Sequence, residues 1–129
     1  MRFLSIYKHQ ETNTPPSAEM VARMQKLVED GMKAGWLVAT EGCLPSARGA
    51  RVRRSGSQTT VSDGPFTEAK ELVGGFAILE AQSKQEAIEL TKAFLAVAGD
   101  GECEVRELYT QQDTSRGDTA TQLAEQFAR

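Results

Sequence analysis

The 129-residue chain holds one histidine, His9, two cysteines, Cys43 and Cys103, one tryptophan, Trp36, and no excess of positive charge. Each shortage excludes something. A structural zinc site takes about four closely spaced Cys or His ligands, which three such residues scattered along the chain cannot supply. Haem ligation would rest on His9 alone, so neither a metal nor a cofactor is expected. A Ser-His-Asp or Cys-His group would have to recruit His9 from the first strand, and no spacing in the sequence asks for it. With 15 basic and 18 acidic side chains the net charge is −3, so no overall cationic field draws in nucleic acid or an anionic membrane. No apolar run approaches the ~20 residues that cross a bilayer, and Met1–Lys8 turns polar too early for a secretory leader. A cytoplasmic location is therefore expected, with both thiols reduced and packed as small hydrophobes.

What is present is an ordinary globular composition, 40% hydrophobic and 26% charged. Residues 2–8 read as a strand with Leu4 and Ile6 on one side and Phe3 and Tyr7 on the other. Pro15 and Pro16 close a polar loop, and from Ser17 apolar residues recur at helical spacing until Gly35 caps the run. Residues 36–40 form a second strand. A hairpin follows, 50–54 and 58–62 about Ser55-Gly56-Ser57, with mostly polar outward residues that suit an arm or an edge. Asp63-Gly64-Pro65-Phe66 is a turn by composition, 67–72 reads as one helical turn, and 73–81 as a third core strand. Ser83 and Glu86 make a capping box that opens a helix ending near Gly99, and 103–109 is the last core strand. After a polar stretch, Leu123 and Phe127 mark a short C-terminal helix, so residues 1–110 are read as the domain and 111–129 as an extension.

The order β-α-β-β-α-β, with a hairpin inserted between the second and third core strands, specifies an α+β, ferredoxin-like fold. Two helices cover one face of a four-stranded sheet. The first and third core strands are apolar on both faces, so a second cover is required, most simply another copy of the chain: a homodimer.

Asp63 through Phe76, reading DGPFTEAKELVGGF, resembles the signature of the YCII-related family in its DGPF branch. Gly42-Cys43-Leu44-Pro45-Ser46 and the strand Arg51-Val52-Arg53 are similar to that branch too, and the likeness spans about residues 2–109. The resemblance implies a dimeric α/β barrel of the kind shared with muconolactone isomerase-like and antibiotic-biosynthesis monooxygenase-like proteins. YCII proteins proper are associated with a His-Asp pair in a cleft; the single histidine here, at the end of the first strand, does not align securely with theirs. DGPF proteins are also often encoded beside extracytoplasmic-function sigma factors.

Two functions follow as expectations. One is a homodimer that binds a small molecule between sheet and DGPF loop, with cofactor-free acid–base chemistry of the lyase or isomerase type. The other is a non-enzymatic regulatory or interaction module, working alongside a sigma factor. For the first, Asp63 and His9 are the candidate catalytic groups, since a carboxylate and an imidazole are the common proton carriers. Glu41, Ser46, Gly64, Pro65, Phe66 and Trp36 are the candidate ligand-binding residues. Against these stand plainer readings. Asp-Gly-Pro is turn chemistry whatever else it does, His9 and Glu41 sit at exposed strand ends, and Trp36 suits packing at a strand start. Glu68, Lys70 and Glu71 form either a charged rim or a solvated face. Arg48, Arg51, Arg53 and Arg54 form either an anion site or a protected edge.

Overall fold

A computed structural model describes residues 1–110; the expected C-terminal helix lies outside the described residues. Strand β1 (Arg2–His9) leads to helix α1 (Ala18–Ala34), β2 (Leu37–Gly42), a 3-10 turn (Ser46–Arg48) and the strands β3 (Ala50–Ser55) and β4 (Gln58–Asp63). Then come β5 (Leu72–Glu80), helix α2 (Lys84–Ala98) and β6 (Glu102–Glu107). The main sheet is antiparallel in the order β2-β5-β1-β6, the ferredoxin-like arrangement, and β3-β4 is a separate two-stranded sheet.

Local chemistry fixes the helix ends. The Ser17 hydroxyl accepts from the Met20 N–H at 3.1 Å, and Gly35 closes α1 at φ 86°. The Ser83 hydroxyl accepts from Glu86 N–H at the start of α2. Thr91, buried in α2, donates its hydroxyl to the Ala87 carbonyl at 2.8 Å and so satisfies itself without a partner element.

Register divides the sheet into two unlike faces. Phe3 lies opposite Leu79 and Ser5 opposite Ala77, and this side carries the core of Phe3, Leu37, Leu79, Ala81 and Ala87, with Val28, Trp36 and Leu90 packed against it. The other side aligns Leu4 with Ile78 and Ile6 with Phe76, and among the described residues no helix covers it. The hairpin is exposed at every residue, in accord with its reading as an arm.

Three expectations change. Residues 67–72 do not form a helical turn: Ala69 N–H reaches the Phe66 carbonyl in a single reverse turn at Thr67–Glu68, and Leu72 enters β5 by pairing with His9. Strand β6 ends at Glu107, before Leu108 and Tyr109. Cys43 is not a packing residue. Its backbone N–H joins the Gly74 carbonyl just past the end of β2 while its side chain is exposed, whereas Cys103 is half-buried. Among the described residues no helix is long and apolar enough to cross a membrane.

Candidate functional site

The loop after β1 and the turn after β2 are 35 residues apart and meet through Glu11 and Ser46. The Glu11 carboxylate accepts from the Ser46 backbone N–H at 2.6 Å and from its hydroxyl at 2.8 Å. The same hydroxyl accepts from the Phe66 N–H at 3.2 Å, so one serine ties two loops to a half-buried charge. Gly64 completes the joint. Its N–H donates to the Gly49 carbonyl, and a Cβ there would come 1.7 Å from the Ser46 carbonyl oxygen. Glycine is required here by close approach rather than by a positive φ. The DGPF loop is thus pressed onto the Ser46–Arg48 turn.

Between this brace and the loop from Pro65 to Leu72 lies an open hollow of about 680 Å³, bounded on the far side by Gln10 and Glu11. Phe66 and Leu72, both half-buried, give it apolar walls; Lys70 and Glu71 bring charge to the rim. The hairpin holds the outer wall. Arg51 lies 3.9 Å over the Phe66 ring and forms an ion pair with Glu68. The Glu68 carboxyl is held below the usual glutamate range by its own backbone N–H and then by Arg51.

The candidate residues divide among several places. Ser46, Pro65 and Phe66 line the large hollow, and Gly64 backs it. Asp63, at the exposed end of β4, borders a second hollow on the hairpin side, which Pro65, Phe66 and Glu68 also line. Glu41 lies across from Phe76 on the helix-free face. His9 is on the helix side: its ring stacks on Tyr7 (5.1 Å, 14°), and a Cβ on Gly74 would strike it at 2.5 Å. Tyr7 meets Phe94 edge-on and donates its hydroxyl to the Asp100 carbonyl at 3.1 Å; burial first, then the nearby Cys103, Asp100 and Glu71, push its phenol up. Burial also raises the Cys103 thiol. Trp36 packs on Gly31 of α1, at the end of β2 remote from the Cys43–Gly74 contact. Asp63, Glu41 and His9 therefore stand on three separate surfaces and share neither hollow.

Sequence reasoning missed Glu11 and Gln10. Both sit in a polar loop whose partner, Ser46, is far off in the chain, so no local spacing announces them. Among the described residues no group of three or more His, Cys, Asp or Glu is placed to hold a metal.

Comparison with known proteins places this geometry. The YCII-related domain matches residues 1–111, spanning the main sheet, both helices and both hollows. An uncharacterised protein of Rhizobium meliloti (strain 1021) is 34% identical over 74 residues, which are 57% of this chain and 56% of that protein; the match thus spans little more than half of the relative's length. Among solved structures, 5-chloro-2-hydroxyhydroquinone dehydrochlorinase from Burkholderia phenoliruptrix AC1100, in complex with 2,5-dihydroxybenzoquinone, is similar at 14% identity and a TM-score of 0.45. That likeness covers 87% of this chain and 97% of the other.

Proposed function

Because the chain belongs to the YCII-related domain family, we propose that it is a homodimeric small-molecule-binding protein whose ligand lies in the hollow between the Glu11–Ser46 brace and the Pro65–Leu72 loop. The observation that carries this reading is the hollow itself. Its volume of about 680 Å³ falls in the range of small-molecule sites, roughly 300–1,000 Å³, and it combines apolar walls with a few converging polar groups. Its walls are braced from both sides, by Glu11 on Ser46 and by Arg51 on Phe66, so they stand formed before a ligand arrives.

Binding is favoured over turnover by Asp63, Glu41 and His9 acting together, since these three face different surfaces. Two of the carboxylates around the large hollow are engaged as acceptors, Glu11 by Ser46 and Glu68 by Arg51. Acid–base chemistry there falls to Glu71 on the rim, since His9 lines neither hollow. The alternative, a regulatory module with a purely structural DGPF loop, is favoured by one fact: turn and packing contacts already account for Gly64.

Thermal-shift screening of small aromatic acids and lactones against the parent and Thr67→Trp tests the reading. Thr67 is exposed on the lip of the hollow, so its replacement by an indole obstructs the site without touching the core. Compounds that raise the parent's melting temperature are expected to lose that effect in the variant. Equal shifts in both proteins would place the ligand elsewhere. Asp63→Asn separates binding from chemistry, because it keeps the size and most turn-forming hydrogen bonds while removing the transferable proton. A general acid or base at Asp63 would show as a loss of turnover of about 10²–10⁴-fold with folding intact.

A further inference from the structure

The hairpin has one face that its role as an arm leaves unexplained. Strand alternation puts Arg51 and Arg53 on the same side, each directly across from a hydroxyl side chain, Ser62 and Thr60 respectively. Together with Pro65, Phe66 and Glu68 these residues line the second hollow, about 410 Å³ in volume. Val52 and Val61 alternate onto the opposite side, while Asp63, at the end of β4, also lines the cavity.

The two arginines are not equivalent. Arg51 is committed to Glu68 and to the Phe66 ring, and that pairing neutralises one of the two acids that line the cavity, the other being Asp63. Arg53 has no ion pair and no side-chain hydrogen bond among the described residues. It presents a guanidinium fork beside two hydroxyl donors, a set that suits a planar carboxylate. Pro65, Phe66 and Glu68 belong to both hollows, so the two adjoin across a shared wall.

On the reading that the larger hollow binds the ligand, we propose that Arg53, with the hydroxyls of Thr60 and Ser62, is the subsite for a carboxylate on that ligand. The substrate class is then small carboxylic acids whose apolar body packs against Pro65 and Phe66 while the acid group reaches the hairpin. Edge protection alone explains an arginine on an exposed strand; it does not explain two hydroxyl residues registered opposite two arginines over a cavity that shares Pro65, Phe66 and Glu68 with the ligand hollow.

Benzoate and benzamide, alike in shape and unlike in charge, test this by amide chemical-shift titration of the ¹⁵N-labelled full chain at low ionic strength. Benzoate is expected to move the amides of Arg53, Thr60 and Ser62 together with that of Phe66, and to bind about tenfold more tightly than benzamide, the scale of one partly solvated charged hydrogen bond. Arg53→Gln should bring benzoate down to the affinity of benzamide and leave benzamide unchanged. Arg53→Lys, which keeps the charge and loses the fork, should fall between. Equal affinity of the two probes for the parent, or a preference for benzoate that survives Arg53→Gln, overturns the carboxylate subsite while shifts at Phe66–Leu72 still support the larger hollow. If neither probe moves Phe66–Leu72, the hollow reading itself fails, and the subsite with it.

Discussion

At Gly64 a single methyl group separates a working joint from a clash. The Cβ of alanine would meet the Ser46 carbonyl oxygen at 1.7 Å, so Gly64→Ala is expected to lower the unfolding free energy by about 3 kcal/mol, the upper range for overpacking. Denaturant unfolding measures it. Glu11 is the complementary case. It accepts two hydrogen bonds from Ser46, and charge-assisted bonds of this kind are worth about 1.5–3 kcal/mol each when buried. Because the pair is only half-buried, Glu11→Ala is expected to cost about 2 kcal/mol in all, with Glu11→Gln, which keeps one acceptor, intermediate. The same measurement applies, and a loss no larger than that of an exposed loop residue such as Thr12→Ala would show that the brace is idle. These two residues also mark how far the sequence could be read. Gly64 was visible as a turn residue, but the reason for it, a carbonyl of a residue 18 positions earlier in the chain, was not. Glu11 gave no sign at all, since a carboxylate in a polar loop has meaning only when its partner is known.

The elements whose signals are local were the legible ones. Ser17, Gly35 and Ser83 mark helix ends through contacts within four residues, and the structure has all three. The alternation of Leu4 and Ile6 against Phe3 and Tyr7 gave both faces of β1 correctly. The loop between hairpin and β5 was misread because residues 67–72 carry helix-forming types, while the cross-strand pairing of Leu72 with His9 decides their conformation. That loop has its own electrostatic test. Glu68 is stabilised as a carboxylate by its own backbone N–H and by Arg51, so its folded pKa lies below the unfolded value. The stability it supplies is present above the ordinary glutamate pKa of about 4.3 and is lost as pH falls through the depressed folded value. A ¹³C titration of the Glu68 carboxyl should therefore show a midpoint below that range, and Arg51→Gln should move it part of the way back. A midpoint indifferent to Arg51→Gln would mean that the hairpin does not hold the DGPF loop in solution. Glu104, held down by Lys8 and Arg106 on β1 and β6, serves as the internal control and should not respond.

At the scale of the whole molecule, the described residues leave one face of the sheet uncovered. Phe76 is 37% exposed beside Ile6, Leu4 and Ile78 on the side that α1 and α2 leave open, an arrangement that soluble monomers avoid when the apolar patch is contiguous. Light scattering at micromolar concentration is expected to give a mass near twice 14.1 kDa. Phe76→Glu, which puts a charge at the centre of that face, should shift the mass toward the monomer with the helical circular dichroism retained; a parent that is monomeric throughout would remove the homodimer. The fold was legible at this scale because two-sided strands and the order of elements are properties of the chain. The site was not, since the hollow is assembled from the β1 loop, the Ser46 turn and the DGPF loop, three segments that only the tertiary structure brings together. The most direct test of the central claim is a crystal structure of the protein soaked with the strongest compound from the thermal-shift screen. Ligand density between the Glu11–Ser46 brace and the Phe66–Leu72 wall is the expected result. Density confined to another surface, such as the Glu41 side of the sheet or the Trp36 end of β2, with this hollow holding only solvent, would contradict it.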